Sequence, residues 1–255
     1  ISDISPEAIK VASELKKPVF GVCHFTWDWF FKQFLPVMVD PKIIKIWEKY
    51  QKLSSKFFFP PLTPLAILEK YNNHYQVPFI STNLKKPSSQ LRKKNKYNIL
   101  LMDSGDKLIR NEIKKILINN KNKKSINFFH PESFGNYNNT VSIKKNELLT
   151  DYIKIVDLVI ARPGFNTITS VIKEKKPSIY FLSKDNPETN WNIHQLHSFG
   201  ITHSMTTSQL INNFSEIIKD KLKYENKKKM KKTIETNFKF GGQKIISKLI
   251  KNYLK

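Results

Sequence analysis

Asp157-Leu-Val-Ile-Ala-Arg-Pro-Gly-Phe-Asn-Thr167 is the stretch on which the reading of the chain turns. Leu158 to Ala161 is an apolar run too short for a helix, and it stops at Arg162-Pro163-Gly164. From Phe165 to Lys175 the apolar residues Ile168, Val171 and Ile172 recur at helical spacing, until Pro177 ends the pattern. Ser178 to Leu182 is a second short apolar run. Strand, tight turn, helix and strand are expected to close as a right-handed crossover in a parallel sheet.

Such a turn has a chemical use. Gly164, with no side chain, would let the main chain come close to a ligand. The helix behind it offers unpaired N–H groups and a positive dipole end, which suit a phosphate. Thr167 adds a hydroxyl and Arg162 a fixed charge. The residues point to a nucleotide diphosphate. Spacing alone leaves open an ordinary Pro163-Gly164 loop, since every α/β protein has such loops.

Working outward, Asp157 to Ser170, then Lys175-Lys-Pro-Ser-Ile-Tyr-Phe181, Asn192 and Gly200 resemble the donor-binding half of GT-B glycosyltransferases. The peptidoglycan N-acetylglucosaminyltransferase and UDP-glycosyltransferase-like proteins, with their family 28 C-terminal-type domain, are the relatives named. The resemblance implies an α/β, GT-B fold of two Rossmann-like domains with parallel sheets. It places Ser104, Gly105, Arg162, Pro163, Gly164 and Thr167 near the donor diphosphate, and Glu188 and Asn192 near the sugar or phosphate. The family's helix Glu, which holds the ribose hydroxyls, falls on Ser170 here, with Glu174 one turn on.

Ile1-Ser-Asp-Ile-Ser-Pro6 and Lys17-Pro-Val-Phe-Gly-Val-Cys-His-Phe-Thr-Trp-Asp-Trp29 resemble the amino-terminal half of the same superfamily, and in particular a glycosyltransferase-like region of sugar-kinase fusion proteins. His24 stands where Asn is common. His24 and Asp28 are polar groups in an aromatic segment after a strand end, so they are candidates for catalysis on the acceptor side. Each also has a plainer reading, His24 as a hydrogen-bonded, partly buried histidine and Asp28 as a cap for a helix from Trp29 to Leu35.

Residues 1–96 are expected to be the end of an acceptor-side Rossmann-like domain plus a linker, so that the first domain is incomplete at its amino terminus. Phe57-Phe-Phe-Pro-Pro-Leu62 resembles that domain's return to its sheet, and Asn72 to Lys96, with Pro78 and Pro87, reads as the crossing. Residues 97–255 are expected to bind the donor. Pro41 to Ser54 reads as an amphipathic helix with Ile43, Ile46, Trp47, Tyr50 and Leu53 on a core-facing stripe. Tyr97 to Asp103 is expected as a strand, Leu108 to Ile118 as a helix with Leu108, Ile109, Ile113, Ile116 and Leu117 as its apolar positions, Glu147 to Ile155 as a short helix, and Ser208 to Lys219 as one helix.

Composition sets the outer limits. With 44 basic and 21 acidic residues the net charge is +23, which favours anionic partners, although Lys abounds along the whole chain and Arg, the better reader of bases, is scarce. No specific nucleic-acid binding is expected. The single Cys23 excludes an internal disulfide and fits a reducing compartment. No apolar run reaches the ~20 residues needed to span a bilayer, so a cytoplasmic protein is expected, with peripheral contact to the anionic inner face of the membrane as a further possibility. There is no Walker loop and no G-x-G-x-x-G. His194 and His197, three apart, lack further ligands in sequence, and neither metal nor cofactor is expected. The function the resemblance implies is metal-independent transfer of a hexose, with N-acetylglucosamine the suggested sugar, from a UDP-sugar to an unknown hydroxyl acceptor, in the manner of cell-envelope glycan synthesis. Alternatives are a nucleotide-sugar hydrolase or epimerase, and a basic protein that binds RNA or membranes.

Overall fold

The computed structural model describes residues 1–34, 39–103, 105, 107–138, 140–181, 186–201 and 203–254. They form two compact units, one of residues 1–81 with 238–255 and one of residues 82–237. The division between Ser81 and Thr82 lies inside the expected crossing. The second unit, however, stops at Asn237, and the last helix returns to the first unit instead of closing the donor-side domain.

The first unit runs α1 (Pro6–Glu14), β1 (Phe20–Val22), α2 (Trp27–Lys32), α3 (Pro41–Gln51), β2 (Lys56–Phe59), α4 (Leu65–Lys70) and β3 (His74–Gln76). Its sheet is parallel, in the order β1-β2-β3. Alternation sends Phe57 and Phe59 of β2 to one face, with Ile9, Ile67 and Tyr71, and Phe58 to the other, with Phe20 and Val77. Both faces are therefore covered, as a parallel sheet requires, and each buried Phe contributes about 1.5–3 kcal/mol. Cys23 lies in the first of these clusters, and burial pushes its thiol well above the usual value. An alkylating reagent is thus expected to leave Cys23 unmodified in the native protein and to label it fully in urea, as intact mass would show; prompt native labelling would contradict this packing.

α3 does not bury the stripe expected of it. Ile44 and Gln51 face inward, while Ile43, Ile46 and Leu53 are exposed. The helix packs chiefly on α1 and α2, so its inward face is rotated. Trp47, half-buried, donates from Nε1 to Glu7 Oε1 at 3.0 Å and packs on Phe31 at 5.1 Å.

The second unit runs β4 (Tyr97–Met102), α5 (Lys107–Asn120), β5 (Ile126–Pro131), β6 (Thr140–Ile143), β7 (Leu158–Ala161), α6 (Phe165–Lys173), β8 (Ser178–Phe181), α7 (Pro187–Ser198), β9 (His203–Met205), α8 (Thr207–Asn212), α9 (Phe214–Leu222) and α10 (Tyr224–Asn237). Its six strands are all parallel, in the order β6-β5-β4-β7-β8-β9. Every residue of β7 is buried, and Leu158 and Ile160 join Ile99, Leu101, Ile113 and Phe128 in the main core. Asp157 pins the entry to β7. It accepts from Asn98 N at 2.9 Å and pairs with Arg92 at 2.7 Å.

Three local expectations change. Leu108 is 75% exposed, while Ile109, Ile113, Ile116 and Leu117 turn inward as expected. The segment before β7 is a 3-10 turn, Leu149–Lys154, and the helix expected from Ser208 is broken at Asn213 into α8 and α9. Finally, α11 (Gly242–Tyr253) packs Ile246 against Phe20, Phe58 and Val77 in the first unit. Among the described residues no helix is long and apolar enough to cross a membrane.

Candidate functional site

The strand order fixes where a ligand belongs. From β4 the chain moves outward to β5 and β6, then returns to β7 on the other side of β4 and continues to β8 and β9. The order thus reverses between β4 and β7, and at such a reversal the loops leaving the two strands diverge and leave a crevice at their carboxyl ends. Met102 and Ala161, paired across β4 and β7, are the last residues before those loops.

The loop after β7 is Arg162-Pro163-Gly164. Arg162 N donates to Met102 O at 3.3 Å and Gly164 N to Arg162 O at 2.9 Å, which closes a tight turn into α6. Gly164 is the N-cap, with φ −71° and ψ 146°, so its glycine is not required by conformation. A Cβ there would meet only Arg162 Nη1, at 3.7 Å. Its small size leaves room beside Gly164 itself, next to the first N–H groups of α6, which have no partners within the helix and of which that of Phe165 is taken by Glu188.

α7 supports this turn. Asn192, fully buried, donates from Nδ2 to Pro163 O at 3.1 Å. It braces the turn from behind, so the residue that matches the family Asn acts here on the main chain. Glu188 comes forward from the first turn of α7 and accepts from Phe165 N at 3.3 Å, at the N-terminus of α6. Asn186 caps α7, accepting from Thr189 N at 3.0 Å, and Pro187 takes the first helical position. Thr167 is 6% exposed in the first turn of α6, and Ser170 spends its hydroxyl on Asn166 O at 2.9 Å.

The loop after β4 contributes a residue that sequence reasoning passed over. Asp103, 5% exposed, accepts from Arg110 Nε at 2.5 Å and from Gly105 N at 3.2 Å. It holds the loop in shape and draws the Arg110 guanidinium to the strand end. The signal was an acidic residue closing an apolar strand before Ser-Gly, with an arginine seven positions on. Gly105, at φ +83°, has the left-handed backbone that favours glycine. Ser104 lies outside the described residues. His130, at the end of β5, is fully buried, and both its ring nitrogens are engaged, by Pro131 O and Thr140 Oγ1 at 2.9 Å each. Burial lowers its pKa, with the Pro131 carbonyl opposing.

The structure thus brings Gly105, Arg162, Pro163, Gly164, Thr167, Glu188 and Asn192 to one edge of the second unit, with Ser170 a turn further along α6. His24 and Asp28 belong to the first unit. Asp28 is 1% exposed, held by Lys70 Nζ at 2.5 Å and Tyr71 OH at 3.0 Å. Lys70 is paired with Glu48 as well, at 2.7 Å. That network holds the Asp28 carboxylate inside the first unit, within α2, whose N-cap is Thr26. His24 is half-buried, edge-on to Phe25 at 5.0 Å. His194 is exposed against Trp191, and His197 Nε2 accepts from Ser204 N at 3.1 Å. Among the described residues no three His, Cys, Asp or Glu groups gather as metal ligands.

No family model and no curated protein matches the chain. Solved structures do. The glycosyltransferase of kitacinnamycin is 12% identical with a TM-score of 0.67, over 98% of this chain and 74% of that one. Spinosyn forosaminyltransferase SpnP is 12% identical with a TM-score of 0.66, over 97% and 73%. Spinosyn rhamnosyltransferase SpnG, complexed with thymidine diphosphate, is 9% identical with a TM-score of 0.60, over 91% and 67%. Identities so low speak for the fold and for nothing finer. With its two parallel α/β units, the chain has the fold of the GT-B glycosyltransferases.

Proposed function

We propose that the chain is a glycosyltransferase whose second unit, residues 82–237, binds a nucleotide-diphospho sugar, and whose first unit belongs to the acceptor side. The observation that carries this is the position of the α6 N-terminus, behind Gly164, at the one reversal of strand order in the six-stranded sheet. Main-chain N–H groups there, with Arg162 and Arg110, suit a diphosphate, and the same groups would stabilise the negative charge that builds on it as the sugar leaves. No metal enters this scheme. Glu188, beside the α6 N-terminus, is suited to accept from a sugar hydroxyl; a carboxylate so near the phosphates would also repel them, so donor binding would turn it toward the sugar.

UDP is proposed as the nucleotide, with N-acetylglucosamine as the first sugar to try. Calorimetric titration of UDP, thymidine diphosphate, UDP-N-acetylglucosamine and UDP-glucose tests the reading. UDP and its sugars are expected to bind with one site per chain. Tighter binding of thymidine diphosphate would correct the base, and binding of none of the four would overturn the proposal. Release of free sugar without acceptor would instead indicate a hydrolase.

A further inference from the structure

At the opposite edge of the six-stranded sheet, where β8 begins at Ser178 and α7 gives way to β9 through Gly200 and Ile201, the second unit holds a cavity of about 290 Å³. Its floor is largely apolar, with Pro177, Ile201 and Met230. Its wall comes from the junction of α9 and α10, where Lys221, Lys227 and Lys229 stand against one carboxylate, Asp220.

The charges do not balance within this wall. Asp220 is shared between Lys221 at 3.6 Å and Lys223 at 3.4 Å, and it also accepts from Asn226 Nδ2 at 3.4 Å. Lys227 and Lys229 form no ion pair among the described residues. The Lys221 side chain is only 11% exposed, and burial pulls its pKa below the usual value, with Asp220 opposing. A buried ammonium with a distant, shared counter-charge is stabilised by any anion that reaches it. A smaller adjoining cavity shares Ser178, Ile201 and Met230 with it and is also lined by Tyr180.

We propose that this cavity is a second anion site, which takes a small phosphate monoester: the phosphate against Lys221, Lys227 and Lys229, the organic group over Met230 and Ile201. It lies at the strand starts, away from the strand ends where the donor is placed, and it does not depend on the glycosyltransferase reading.

The test uses the full chain, with inorganic phosphate and phenyl phosphate as probes, followed by calorimetry and by amide NMR shifts. One phenyl phosphate per chain is expected, binding several-fold tighter than inorganic phosphate, with the largest shifts at Ser178, Ile201 and Met230. Lys221→Met with Lys229→Met should weaken it by about tenfold or more, while Gly164→Val leaves it unchanged. Should the double variant fail to fold, Lys229→Met alone, at an exposed position, is expected to lose about threefold. Unchanged affinity in whichever variant folds overturns the proposal. So does loss through Gly164→Val, which would move the anion to the other edge, and so does unsaturable binding spread over many lysines, which would make it diffuse attraction.

Discussion

Gly164→Val is expected to weaken nucleoside diphosphate binding by about a hundredfold or more, with the melting temperature nearly unchanged. The backbone there is extended, at φ −71° and ψ 146°, so a β-branched residue fits without strain. In the free protein the added Cβ meets only Arg162 Nη1, at 3.7 Å, the far end of a flexible side chain. The two methyl groups would instead fill the space in front of the α6 N–H groups. Charge-assisted hydrogen bonds to phosphate contribute about 1.5–3 kcal/mol each, so the loss of one or two suffices for the effect. Calorimetry against UDP with the wild type alongside is the measurement. If the wild type binds and a folded Gly164→Val protein binds as tightly, the diphosphate lies elsewhere.

The same turn shows what could be read from the sequence and what could not. Leu158 to Ala161 and Ser178 to Phe181 announce themselves because strands buried on both faces must be continuous apolar runs. Pro and Gly mark the loops for reasons local to the backbone, so the β7–α6–β8 unit was legible. β3 was not, since His74-Tyr-Gln76 is half-exposed and carries no apolar pattern, and its place is set by pairing with β2. The stripe on α3 misled because periodicity reports an amphipathic helix without saying which neighbour it meets. The destination of α11 was invisible for a related reason: its periodicity does not name its neighbours, and it is placed by the packing of Ile246 on Phe20, Phe58 and Val77 and by the approach of Gly242 to Pro78.

In the site, residue types were legible and their roles were not. Asn192 and Glu188 sit four apart on one helix, yet one points back to Pro163 O and the other forward to Phe165 N. Asp28 stood as a candidate because it is a polar group in an aromatic segment after a strand end. The partners that occupy it, Lys70 and Tyr71, come from more than forty residues away, which no local pattern reports.

Gly242→Ala should destabilise the first unit strongly, and here two principles disagree about its sign. Gly242 opens α11, and alanine is the better helix former by about 1 kcal/mol. Its Cβ, however, would lie 2.1 Å from Pro78 O and 3.1 Å from Pro78 C, both main-chain atoms that no rotamer change can move aside. Relief requires α11 to lift. Gly241 N and Gly242 N both donate to Phe79 O, at 3.2 and 3.1 Å, and lifting strains both bonds, each worth about 1 kcal/mol. It also draws Ile246 away from Phe20, Phe58 and Val77, at about 2 kcal/mol. Packing therefore outweighs propensity, and a net loss of roughly 3 kcal/mol is expected in urea unfolding of the full chain. Gly200→Ala is the control, because at φ +65° with no atom within 4 Å of its Cβ it carries backbone strain alone, about 1 kcal/mol. A Gly242→Ala protein as stable as the wild type would mean that α11 does not seat against Pro78, and residues 238–255 would then have no claim to the first unit.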